Sequence, residues 1–281
     1  MAQGKPRVDV DMASGSREPA ARRWAALRWL AAGVAHYFSV LLFFGLWEFV
    51  ARSGWVNPWV FPPVTVSLAE WGRSLATGDI FHPMGLTLLR ALGGLTMALG
   101  VGITLGLLMG RYRLVEWFFE PLIAIGFPAP KIAFLPLFVL WFGFFNTAKV
   151  LIVFTSCIFP LTLYAYHGAR SVDRFYLWSA LSKGSRGFAL LRKVVLPAAL
   201  PHIFDGFQVA LIVSFIVAFV AEMVTGGGGL GFEMIKAAQD AETPRAFAML
   251  FTISLLGYGT IKLAEWLRAL LLFWHIEHEA H

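Results

Sequence analysis

The stretch Trp178–Pro201 reads WSALSKGSRGFALLRKVVLPAALP and separates two long apolar runs. It is too polar to cross a bilayer and too regularly punctuated by Gly and Pro for a slack linker. On its amino side, Val150–Ala169 runs for 20 residues without Asp, Glu, Lys or Arg and with His167 its one group that ordinarily titrates near neutral pH, and further back Ala91–Gly110 is another 20 residues without a charge. A bilayer core takes about 20 apolar residues per helix. The whole chain of 281 residues is 58% hydrophobic and only 14% charged, with mean hydropathy +0.69. Soluble domains carry about 25% charged residues, so the reading is an all-α integral membrane protein that delivers Trp178–Pro201 to one membrane face.

The formal net charge of +6 does not point to nucleic acid, because the basic residues fill the gaps between apolar runs, where they orient a membrane protein. The single cysteine, Cys157, lies inside an apolar run and supports no disulfide framework. Residues 1–29 are Arg-, Gly-, Ser- and Pro-rich and read as a disordered basic tail, without the apolar stretch and small-residue cleavage site of a secretory signal.

Six spans are expected, at about 30–51, 88–109, 114–143, 149–169, 203–224 and 246–267, together forming a permeation domain over 30–270. Trp29, Tyr37, Trp47 and Trp55 suit an interfacial belt around the first. NPWVFPP predicts a turn, with a short amphipathic helix from near Thr65. The second span holds Gly93, Gly94, Gly100, Gly102 and Gly106, small residues that let helices approach closely. The third is too long for one plain helix and contains Pro128, Pro130, Lys131 and Pro136, so a broken helix is expected. Pro160 predicts a kink in the fourth span. The segment 170–202 is expected as a loop, TGGGGLG (Thr225–Gly231) as another, and 271–281 as a tail. No internal repeat suggests an inverted-repeat secondary transporter.

Six spans place both termini on one side. That side then holds Lys5, Arg7, Arg17, Arg22, Arg23, Arg28, Arg111, Arg113, Arg170, Arg174, Lys183, Arg186, Arg192, Lys193 and Arg268, whereas the other holds Arg52, Arg73, Lys149, Lys236 and Arg245. Fifteen against five predicts that the termini and Trp178–Pro201 are cytoplasmic.

Gly184 is followed by nine residues and then by Val194, Leu196 and Pro197, and preceded at three residues by Trp178, Ser179 and Ala180. This spacing resembles the EAA loop of ABC importer permeases, whose pattern is E-A-A, three residues, G, nine residues, I-x-L-P. PLIAIGFPAPKIAFLPLFVLWFG (Pro121–Gly143), Leu88–Gly110 and AEMVTGGGGLGF (Ala221–Phe232) resemble the permeases of the aliphatic sulfonate, taurine and nitrate uptake class. The resemblance covers about residues 30–270. It implies a MetI-like type I permease core with an extra amino-terminal span, working in the inner membrane as a homodimer. Two ATPase subunits lie beneath it and a periplasmic or lipid-anchored substrate-binding protein above. It further implies a small anionic or zwitterionic organic solute, or nitrate. No cofactor is expected on this chain and no covalent chemistry, since ATP and Mg belong to the ATPase. The loop would pass ATPase motion to the spans as a coupling helix turned at Gly184 and pinned by Leu196–Pro197. Trp178 departs from the family's Glu, replacing a charged contact by a large apolar anchor of the kind found at interface hot spots; a lipid-facing belt residue is its other reading. Arg186, Arg192 and Lys193 either touch the ATPase or only set topology.

Other residues carry two readings each. Lys131, at an intramembrane break, attracts an anion in the pathway, or snorkels or pairs with Glu120 or Glu222. Glu222 serves an outer gate or a structural cap. Thr155, Ser156 and Cys157 line the path or hydrogen-bond between helices. Gly226, Gly227, Gly228 and Gly229 lack the Lys and Ser/Thr of a phosphate cradle, which leaves a flexible hinge facing the binding protein. His275, Glu277, His278 and His281 share a spacing of about one helical turn, but a chain end offers no rigid shell for a metal, and none is expected. The rival classes are an ion-coupled secondary transporter or channel, which has no use for the Gly184–Pro197 pattern, and a membrane enzyme, for which no HExxH or GxSxG motif appears in the spans.

Overall fold

The computed structural model describes residues 38–272. The basic tail at 1–29, the start of the first expected span with Trp29 and Tyr37, and the histidines of the last residues lie outside that range. The described chain falls into two units, divided after Val64.

In the first unit, a helix over 38–52 (α1) ends before the NPWVFPP turn. The turn folds back on α1: Trp47 Nε1 donates to the Pro62 carbonyl at 3.0 Å, and its ring stacks on Phe61 at 5.3 Å. The Asn57 side chain closes the turn by accepting from the Trp59 amide at 3.0 Å.

The second unit is helical throughout its ordered elements. It contains α2 (Val64–Thr77), α3 (Phe81–Arg111), α4 (Arg113–Gly126), a 3₁₀ turn (Lys131–Phe134) running into α5 (Leu135–Phe142), and α6 (Asn146–Arg170). Then come α7 (Arg174–Ser182), α8 (Gly187–Leu190), a π turn (Leu191–Val195), α9 (Leu196–Thr225), α10 (Leu230–Gln239) and α11 (Thr243–Leu271). Four helices among the described residues are long and apolar enough to cross a membrane, or five if α4 and the 3₁₀–α5 stretch count as one broken span. The first expected span, near 30–51, begins outside the described residues.

The core is the stack of α3, α6 and α9. Close approach of α3 to α6 depends on glycine: a Cβ at Gly94 would stand 2.6 Å from Val153, and one at Gly106 would stand 2.4 Å from the Thr162 carbonyl oxygen. Gly100 faces open space, so the glycine-rich span uses only part of its glycines for packing. Around this seam Ala91, Leu95, Ala98, Ile152, Val153 and Ala218 are buried.

Proline has different consequences at three places. The chain turns by 90° between α4 and the 3₁₀–α5 stretch; Pro128 and Pro130 lack the amide hydrogens that a continuous helix needs there. Pro160, read from sequence as a kink, lies inside the unbroken helix α6. The largest difference concerns the segment expected as a loop to residue 202. Helix begins at Gly187 and continues through 39 residues to Thr225. Pro197 and Pro201 do not end it. Pro197 sits at the first turn of α9, where a missing amide hydrogen costs least, and the wider π turn precedes it. At about 1.5 Å per residue such a rod spans roughly 58 Å, longer than a bilayer core.

Candidate functional site

The two ends of the long helix carry most of the residues singled out in the sequence. At its amino end the chain forms a helix, a turn and a second helix. Asp173 caps α7, its carboxylate accepting from the Phe175 amide at 2.8 Å. The other end of α7 closes with paired backbone bonds, Ser185 N–H to the Ala180 carbonyl and Gly184 N–H to the Leu181 carbonyl, both 3.0 Å. Gly184 between them has φ +81°. This is the Schellman arrangement, whose left-handed position favours glycine. Leu177, Val194 and Leu196 pack on a cluster of Leu107, Ala165, Val195 and Ala199, which seats α7 on the main stack.

Outward from that seat the surface is aromatic. Phe175, Tyr176, Trp178 and Phe188 are exposed, and the Phe175 and Trp178 rings meet edge-on at 5.6 Å. Ser179 is exposed and Ala180 half-buried. With Lys183, Ser185, Lys193, Val194 and Pro197 they line an open cleft of about 890 Å³ between α7 and the start of α9. Arg186 is exposed at the start of α8.

At the other end of the rod lies a buried ionic cluster. Arg90 of α3 and Glu222 of α9 are 1% and 0% exposed and pair at 2.6 Å through Nη1 and Oε1. The Arg90 guanidinium also donates from Nη1 to the Gly228 carbonyl at 2.7 Å, from Nη2 to the Gly227 carbonyl at 2.8 Å and from Nε to Asn146 Oδ1 at 2.9 Å. Lys149, 1% exposed, donates to the Gly226 carbonyl at 2.5 Å. The second carboxylate oxygen of Glu222 accepts from Thr87 Oγ1 at 2.9 Å and from the Gly231 amide at 3.1 Å, and Thr87 in turn accepts from the Leu230 amide at 2.9 Å.

Gly226–Gly229 have φ from +70° to +104°, and there is no room above Glu222 for a side chain: a Cβ on Gly229 would stand 2.2 Å from its carboxyl carbon. The turn expected as a flexible hinge is therefore tied at three successive carbonyls. Four consecutive glycines are the least constrained backbone available, and charge-assisted bonds hold three of their four carbonyl oxygens.

Lys131 opens the 3₁₀ turn that precedes α5. It does not pair with Glu222, which belongs to Arg90. Its ammonium donates to the Phe127 carbonyl and lies over the rings of Phe127 (5.4 Å) and Phe159 (4.9 Å). It lines a cavity of about 360 Å³ with Ser156, Pro160, Val209 and Val213. Pro130 immediately precedes the 3₁₀ turn that begins at Lys131. Pro128 lines a different cavity with Glu120 and His167. Thr155 and Ser156 do not bond between helices: each hydroxyl donates to a carbonyl one turn back in α6, Leu151 and Ile152, at 2.8 Å. The contact between helices comes from Cys157, whose thiol reaches the Ala210 carbonyl at 3.3 Å.

Arg90, Lys149, Thr87 and Asn146 were not legible as site residues. One signal for Arg90 existed: a carboxylate such as Glu222 at the end of an apolar segment requires a cation, and Arg90 stands one residue before the uncharged run at Ala91.

Comparison with known proteins fits this architecture. The aliphatic sulfonates transport permease protein SsuC named in Escherichia coli is 30% identical over 249 residues, covering 88% of this chain and 94% of that protein. The formylaminopyrimidine transport permease protein ThiX of Halalkalibacterium halodurans is 30% identical over 235 residues, 83% and 93% of the two chains. Among solved structures, an inward-facing form of the MetNI methionine ABC transporter shares the fold at TM-score 0.52 and 16% identity, over 66% of this chain and 95% of that one. The family described as "Binding-protein-dependent transport system inner membrane component" matches residues 102–271. The chain therefore belongs to that family, the membrane-embedded permeases of ABC transport systems.

Proposed function

We propose that the chain is the permease subunit of an ATP-driven importer and that its α7–turn–α8 element is where ATPase motion enters. The observation that carries this is continuity: an exposed aromatic helix, seated by Leu177, joins through one tight turn to a helix that runs without interruption to Thr225. A stiff rod passes displacement to its far end, whereas a loop of the length expected from sequence absorbs it. Trp178 and Phe175 offer large rigid surfaces suited to a protein interface. Small residues at Ser179 and Ala180 let a partner approach the helix closely.

In this reading two copies form the path, with two ATPase subunits bound on the side of α7 and a soluble binding protein on the opposite side. Both termini and α7 are cytoplasmic, following the excess of Lys and Arg on that side. ATP and Mg are handled by the ATPase, and this chain binds neither. The solute class is a small anionic or zwitterionic molecule such as a sulfonate, taurine or nitrate. Lys131, held by aromatic faces beside a cavity, supports an anion over the pyrimidine that a relative is named for. An intramembrane cation is costly unless it has a use.

The test is reconstitution with the ATPase and binding protein. ATP-dependent solute uptake is expected, Gly184→Trp should abolish it, and Lys131→Met should lower it with assembly intact. Uptake that persists without ATP and follows an ion gradient would move the protein to the class of ion-coupled secondary transporters or channels.

A further inference from the structure

Gly226–Gly229 is by composition the slackest stretch of the described chain, and it stands at the far end of the longest described helix. A displacement arriving along α9 reaches α10 only if that turn does not give. The backbone is held by three elements at once. α3 supplies Arg90, α6 supplies Lys149 and α9 supplies Glu222, and their bonds end on the carbonyls of Gly226, Gly227 and Gly228 and on the amide of Gly231. The amide of Leu230, the first residue of α10, is taken by Thr87 of α3. Two cations face one carboxylate, so the surplus positive charge is met by backbone oxygens. The cluster is built around the turn rather than merely beside it.

We propose that Arg90 is a positioning residue for transport: by clamping the Gly227 and Gly228 carbonyls against Glu222, it converts the four-glycine turn from a slack joint into a rigid one, so that displacement entering at α7 reaches α10. This rests on the importer reading and adds to it the residue on which efficient transmission depends. The guanidinium is needed for its shape. Its fork reaches a carboxylate and two carbonyls while Nε reaches Asn146, and a lysine ammonium cannot span all four. A purely structural role for the cluster predicts a different outcome from a transmission role, because a weakened but still rigid protein loses ATP hydrolysis and uptake together.

The experiment measures solute taken up per ATP hydrolysed by the full assembly in proteoliposomes, for the native chain, Arg90→Lys and Asn146→Ala. Asn146 is exposed, so its replacement removes one bond to Arg90 without emptying the core. The expected result is that Arg90→Lys assembles and hydrolyses ATP but lowers solute per ATP about tenfold, and Asn146→Ala lowers it about threefold. An unchanged ratio in Asn146→Ala, together with an unchanged ratio or failed assembly in Arg90→Lys, overturns the proposal. Absence of ATP-dependent uptake by the native assembly instead overturns the importer reading on which it rests.

Discussion

The two ends of the helix that runs from Gly187 to Thr225 use the same residue type in opposite surroundings. Gly184, at the α7 turn, has φ +81° and nothing within 4 Å of where a Cβ would stand; Gly229, at the other end, has φ +104° and a Cβ position 2.2 Å from Glu222. The first glycine is there for backbone conformation alone, on an open surface with exposed aromatics beside it. The second is there for conformation and for space, over a cluster whose every member is paired within the chain. An open end is suited to receive a partner; a closed end is suited to hold shape. Under the proposed function, the external contact lies at α7 and the internal brace at Gly226–Gly229.

That contrast can be broken by substitution. The largest effect is expected for Glu222→Ala, which leaves Arg90 buried without its carboxylate; removing one partner of a buried pair costs about 3–5 kcal/mol, read as a lower unfolding temperature of the detergent-solubilised protein. An unchanged melting temperature there means that water reaches the cluster and the closed end is not closed. Gly229→Ala should cost less, about 1–3 kcal/mol for the forced displacement of a packed neighbour, with a lowered melting temperature as the readout. Gly184→Ala should be the mildest, near 1 kcal/mol, since only the left-handed conformation is penalised. If Gly184→Ala proves as damaging as Gly229→Ala in the isolated chain, the α7 turn is packed rather than open and the comparison fails.

The sequence carried different parts of this account unevenly. Helical spans were legible because length and hydropathy leave few alternatives in a bilayer. The α7 turn was legible because Gly184 and Leu196–Pro197 are local signals whose spacing is independent of the rest of the fold. The extent of the rod was not. Residues 187–202 are polar in part and contain two prolines, which read as loop; the π turn that absorbs them has no simple sequence mark. The cluster was the least legible. Arg90 borders an uncharged run and looked like the edge of a span, and Lys149 looked like a loop cation. Their burial arises only when α3, α6 and α9 converge, a tertiary fact that no single segment contains. Of the two carboxylates suggested for Lys131, Glu222 was lost for the same reason, because it was already taken by Arg90, a residue distant in sequence.

Under the proposed function, α7 is the surface through which the ATPase acts. The direct test of this is crosslinking with a cysteine introduced by Trp178→Cys, in a background where Cys157, the native cysteine, is replaced by Ala. In the assembled transporter a short thiol crosslinker should join that position to the ATPase subunit, with the yield changing between nucleotide-free and ATP-bound states. Crosslinks that form only to lipid or to a second permease, with none to the ATPase in either state, would contradict the account.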